Sequence, residues 1–131
     1  MRMLIAAVMM LGLTPLAAHA EVDGVWSGSY TQAADGGGDL TVPFSANINE
    51  RGHTFVGVTN EPNRTGDADV STFAMVRGSE PPGGGVEFTK TYATGGWTHS
   101  VEYEGHFVSP SHIEGTWHIG ETKGTFVMTR N

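Results

Sequence analysis

Beyond residue 20 the apolar residues of this chain fall at alternate positions in short runs, and no stretch repeats them at the spacing of an amphipathic helix. The runs are rich in Val, Phe, Tyr, Trp and Thr and are bounded by Gly, Pro, Asn and Asp, the pattern of strands and turns. Glycine clusters at 36–38, 83–85 and 95–96 mark chain reversals. Eight strands are predicted, at 23–31, 39–48, 53–59, 69–77, 86–92, 98–108, 112–119 and 124–130.

Successive side chains of a strand point to opposite sides, so alternation assigns each strand an inner face. Trp26, Gly28 and Tyr30 share one face of the first strand; Leu40, Val42, Phe44, Ala46 and Ile48 share one face of the second. Val86, Phe88, Lys90 and Tyr92 fall together, as do Val101, Tyr103, Gly105 and Phe107, then Ile113, Gly115, Trp117 and Ile119, then Phe126, Met128 and Arg130. Strand four is ambiguous, since Val70, Ala74 and Val76 compete with Phe73 and Met75.

Keeping apolar faces together across hairpins sets the register. Phe107 is expected opposite Ile113, Gly105 opposite Gly115 and Tyr103 opposite Trp117, which leaves His106 with Glu114 and Glu102 with His118 outside. Phe88 should face Tyr103 and Lys90 should face Val101, while a turn over residues 120–123 would set Trp117 against Phe126. Pro43 lacks a ladder donor and suggests a bulge or an unpaired segment. Eight sequential antiparallel strands with one apolar face each close into an up-and-down barrel, which removes exposed sheet edges. The expected fold is thus all-β, one eight-stranded antiparallel barrel at 21–131.

Residues 1–20 have the form of a cleaved signal peptide: Arg2, an apolar run from Leu4 to Leu13, and Ala18-His19-Ala20 as a small-x-small cleavage site. The mature chain would begin at Glu21, with six basic side chains against fourteen acidic ones. That balance argues against nucleic acid and anionic membrane surfaces as partners. The apolar run is too short for a transmembrane segment. No cysteine is present, which excludes disulfides and thiolate metal sites. A periplasmic or secreted protein is expected.

Gly24-Val25-Trp26 in the first strand and Arg130 in the last resemble the calycin group: lipocalins, fatty-acid-binding proteins and avidins. The resemblance implies that Arg130 packs across Trp26 and shuts one end of the barrel. Avidins are nearest in rhythm, through Ser100-Val101-Glu102-Tyr103-Glu104-Gly105 and Ile113-Glu114-Gly115-Thr116-Trp117. Their biotin-binding residues are not matched: Ser29, Tyr30 and Thr31 stand only loosely for the first-strand polar cluster, and strand six has Tyr103 where avidins have tryptophan.

Catalytic signatures are missing: no G-x-S-x-G elbow, no H-E-x-x-H, no P-loop. His99 and Ser100 are adjacent and so lie on opposite faces of a strand. Asp67 with Asp69, and Glu102 with Glu104, fit a solvated strand face. His106, His112 and His118 belong to two strands and do not converge on a metal; cross-strand pairing with Glu114 and Glu102 explains His106 and His118 better. No cofactor, metal or catalytic residue is assigned.

Ten of the twelve aromatic residues after position 20 share the inner face. They fill a narrow barrel or wall a calyx, and the inward Gly28, Gly57, Gly105 and Gly115 favour a cavity. Lys90, His99, Tyr30, Tyr92 and Tyr103 interrupt that face with polar groups and, with Trp117, form the candidate ligand site. An inward ammonium needs a partner, and the pattern shows no inward carboxylate. Either Lys90 receives the anionic head of a ligand or it reaches solvent at the rim. A small hydrophobic or amphipathic ligand is the expected partner. The alternative is a protein-binding module or an inhibitor of an exported enzyme, acting through loops at 59–67 and 78–85.

Overall fold

In the computed structural model, residues 21–33, 37–62, 71–94 and 97–131 are described, with side chains at 93, 94, 97 and 98 left aside. The signal peptide expected at 1–20, Val70, the pair Asp67 and Asp69, and most of the loop at 59–67 lie outside the described residues. The strands are β1 (Gly24–Ala33), β2 (Asp39–Arg51), β3 (Thr54–Pro62), β4 (Ser71–Ser79), β5 (Gly85–Thr94), β6 (Trp97–Ser109), β7 (His112–Ile119) and β8 (Thr122–Arg130). Each pairs antiparallel with its neighbours in sequence, and β8 returns to β1 to close the barrel. The predicted strands are all present, several of them longer than alternation alone suggested.

Registers of the β5–β6 and β6–β7 hairpins match the expectation pair by pair, from Phe88 opposite Tyr103 to His106 opposite Glu114. The β7–β8 hairpin does not. Gly120 and Glu121 alone form its turn, Gly120 at a φ of 59°, so Trp117 faces Gly124 and Phe126 faces Gly115. A shift of two residues keeps every side chain on its face, which is why alternation could not detect it. Packing explains the choice: a Cβ at Gly124 would stand 2.6 Å from the Trp117 indole nitrogen, so glycine is what lets the ring lie there.

Pro43 causes no bulge. It stands opposite Ser29 in continuous register, and β2 pairs with β3 only from Ser45 onward, so Pro43 sits where the strand is paired on one side. The irregularity falls instead between Phe107 and Ser109 of β6. β4 resolves to Ala74 and Val76 inside, leaving Phe73 and Met75 58% and 62% exposed. Leu40, assigned inward, is 51% exposed near the start of β2. Ile119, at the end of β7, is likewise exposed.

Aromatic rings fill the lower interior. Phe88 stacks on Tyr103 with centroids 4.6 Å apart and planes 9° from parallel, and Phe126 meets both rings edge-on. The inward glycines serve this packing and leave no void, which corrects the expectation drawn from them. A Cβ at Gly28 would come within 2.5 Å of the Phe44 ring, and one at Gly105 within 2.9 Å of Phe126. At the same end Trp26 is fully buried, its indole N–H donating to the Val22 carbonyl at 2.8 Å. The Arg130 guanidinium lies 4.4 Å from the Trp26 ring centroid and donates to the carbonyls of Asp23 and Glu21. Ring and main-chain acceptors together hold the N-terminal segment under the barrel floor.

Candidate functional site

Lys90 occupies an inner position of β5 between Phe88 and Tyr92, yet it neither reaches the rim nor lacks a carboxylate. It is 1% exposed, and its Nζ lies 2.9 Å from Oε2 of Glu61, which is 0% exposed. Both readings made from sequence are thereby corrected. The strand predicted over 53–59 stops short of Glu61, since Asn60-Glu61-Pro62 resembles the start of a turn. The available signal was the continued alternation of Phe55, Gly57, Thr59 and Glu61, all buried on the inner face.

The pair is enclosed by tyrosines. Tyr30 donates its hydroxyl to Glu61 Oε1 at 2.5 Å, Tyr92 donates to Oε2, and Lys90 donates to the Tyr103 oxygen at 3.3 Å. Aromatic faces complete the shell, with Nζ 4.6 Å from the Tyr30 centroid, 4.9 Å from Phe44, 5.1 Å from Tyr92 and 5.3 Å from Tyr103. Ring quadrupoles attract the ammonium, and the more so away from water. Burial pushes the Glu61 carboxyl up, but the Lys90 charge and the hydrogen bonds from Tyr30, Tyr92 and Lys90 outweigh it and hold Glu61 below its ordinary range. Tyr92 is driven far above the usual phenol range, first by burial and then by its bond to Glu61. The cluster is therefore a carboxylate and an ammonium bound by neutral phenols.

Above this cluster, toward the end of the barrel where β1, β3, β5 and β7 finish, a cavity of about 310 Å³ opens. Tyr30, Tyr92, His99, Val101, Tyr103 and Trp117 wall it, with Gln32 and Thr122 among its other residues. Five of the six sequence-predicted ligand residues thus converge there; Lys90 is beneath, behind the tyrosines. His99 stacks on Tyr92 with centroids 4.7 Å apart. Trp117 stands edge-on to Tyr30 and donates its indole N–H to the Thr31 carbonyl at 2.8 Å, which ties β7 to β1 across β8.

Outside, His106 stands opposite Glu114 and His118 opposite Glu102 as the register predicts, and both carboxylates have a further side-chain neighbour. His112 Nε2 lies 2.9 Å from Glu114 on its own strand, while Glu102 accepts from Thr89 at 2.9 Å. No group of three or more metal-ligating side chains occurs among the described residues.

No family model and no curated protein matches the chain. Among solved structures it is similar to one described as a redesigned beta barrel, at 14% sequence identity and a TM-score of 0.68, with 84% of this chain and 91% of that one covered. That likeness is one of fold: an all-β barrel of eight antiparallel strands.

Proposed function

We propose that the chain is an exported, calycin-like protein of the bacterial envelope, periplasmic or secreted, that binds one small apolar or amphipathic molecule at the mouth of its barrel. The observation that carries this reading is the cavity of about 310 Å³ walled by Tyr30, Tyr92, His99, Tyr103 and Trp117. Its size is at the lower end of ligand pockets, which run from roughly 300 to 1,000 Å³ and are mostly apolar with a few placed polar groups. Trp26 beneath Arg130 supports the calycin part of the reading, since that end is closed. No reaction is assigned to the site, because the buried carboxylate and ammonium satisfy one another.

Native mass spectrometry of the protein purified from its own envelope should show a retained small molecule, and a fluorescent apolar probe should quench Trp117 saturably. Loss of quenching in Trp117→Phe, with binding kept by calorimetry, would place the probe in the cavity. Equal affinity in parent and His99→Ala/Trp117→Ala would remove it.

A second reading, the protein-binding module, draws on an apolar groove of about 900 Å³ at the opposite end, walled by Pro81, Pro82, Gly84, Phe107 and Pro110. Pull-down of an exported enzyme that is lost on Pro82→Glu, together with no bound small molecule, would favour it.

A further inference from the structure

We propose that Glu61 sets the charge preference of the mouth cavity, so that neutral planar ligands enter and anionic ones are turned away. The inference rests on reading that cavity as a ligand site. Alone, the Lys90 ammonium would make the cavity floor electropositive and attract a ligand carboxylate. Glu61 supplies that carboxylate from within the chain, at 2.9 Å, on a strand two removed from that of Lys90. Charge selection follows from what stands between pair and cavity. Tyr30, Tyr92 and Tyr103 each line the cavity and each contact Glu61 or Lys90, so the floor is one phenol layer thick.

An anion entering the cavity sheds water and meets a cation already matched by an anion; it gains no net attraction and loses hydration. A cation fares no better, because the Glu61 oxygens already receive Tyr30, Tyr92 and Lys90. Among the described lining residues none is Asp, Glu, Lys or Arg. The walls offer ring surface to a flat, uncharged body: Tyr92 and His99 stack on each other within 16° of parallel and form one wall, and the indole of Trp117 stands edge-on to Tyr30 on another. At about 30 Å³ of liquid volume per water, the space equals roughly ten waters, the scale of a fused bicyclic ring. Sequence alone points the other way, to an anionic head on Lys90, because a third strand over 53–59 leaves Glu61 out of the inner face.

The test uses one ring system with three charges: 2-naphthol, 2-naphthoate and 2-naphthylmethylammonium, titrated calorimetrically at neutral pH into parent and Glu61→Gln. The parent should bind 2-naphthol at least about tenfold more tightly than either ion. Glu61→Gln keeps an amide oxygen for the tyrosines but takes away the carboxylate 2.9 Å from Lys90, so 2-naphthoate should tighten by about tenfold while 2-naphthol changes by less than about threefold. Should that variant not fold, Glu61→Gln/Lys90→Gln, with neither charge, should keep the preference of the parent. Equal binding of 2-naphthoate and 2-naphthol by the parent, or an unchanged ratio in Glu61→Gln, overturns the role given to Glu61 and leaves the cavity reading standing. Failure of the parent to bind all three overturns the cavity reading itself, and this inference with it.

Discussion

The Lys90 ammonium of β5 and the Glu61 carboxylate of β3 meet at 2.9 Å inside the barrel, and neither side chain reaches solvent. Removing one member leaves the other charged and buried, which costs about 3 to 5 kcal/mol. Lys90→Met and Glu61→Leu should each lower stability by that order in urea unfolding. The double variant Lys90→Met/Glu61→Leu should cost clearly less than the two together, with a coupling of about 0.5 to 3 kcal/mol. Strict additivity would mean that the pair is not coupled in solution.

Acid should unfold the protein through Glu61. Its folded carboxyl is held below the ordinary range, so the stability it adds is fully present above the unfolded value of about 4.3 and is lost as pH falls through the folded value. Tyr92 acts at the other limit. Its folded value is raised, so its contribution is present below about 10 and is lost as pH climbs beyond the unfolded phenol range. Urea midpoints followed with pH should therefore fall on both sides. Glu61→Gln should flatten the acid limb, and Tyr92→Phe should flatten the alkaline one; an acid limb unchanged in Glu61→Gln would assign it to other carboxylates.

The fold was legible because alternation is a long-range constraint that eight strands obey together. Trp26, Phe44, Phe88, Tyr103 and Ile113 each announce a face, and their cross-strand pairs agree. The site was half legible. Tyr30, Tyr92, His99, Tyr103 and Trp117 could be gathered from face assignment alone, since all are inner residues of the strand halves nearest one end. Glu61 could not be found by residue type, because a carboxylate before proline ordinarily marks a turn; only its parity with Phe55 and Gly57 betrays it. Registers of β7 and β8 were equally hidden, since a two-residue slip preserves both faces and is decided by the room that Gly124 leaves for Trp117.

Trp26 and Arg130 form the closed end and should differ in what they contribute. Trp26→Ala deletes a fully buried indole and should cost about 3 to 5 kcal/mol. Arg130→Met keeps the aliphatic cover but loses the cation over the ring, a contribution of about 0.5 to 2 kcal/mol, along with its donors to Asp23 and Glu21. Thermal melts should rank Trp26→Ala as much the weaker protein; a Trp26→Ala variant as stable as the parent would contradict its burial.

Gly28 is the position where the smallest addition should be felt. Its missing Cβ is replaced by the Phe44 ring, so Gly28→Ala should overpack the interior by about 1 to 3 kcal/mol. Pairing it with Phe44→Leu should recover part of that loss in the same melts. A Gly28→Ala protein with the parent melting temperature would show that Phe44 moves aside without cost.

The aromatic cage around Lys90 should accept a free amine once the lysine is shortened. Lys90→Ala removes the ammonium and three methylenes and leaves Glu61 with Tyr30, Phe44, Tyr92 and Tyr103, whose rings surrounded the charge at 4.6 to 5.3 Å. Free n-propylammonium restores both the charge and the missing carbon chain, and ligand bound only by the folded state stabilises it by about 2.7 kcal/mol at a hundred times its Kd. The melting temperature of Lys90→Ala should rise saturably with n-propylammonium and not with n-propanol, because only the cation answers the Glu61 carboxylate and the ring faces. Neither additive should shift the parent, whose own lysine fills the cage. Equal shifts with amine and alcohol would show that the space, and not the charge, is what Lys90 supplies.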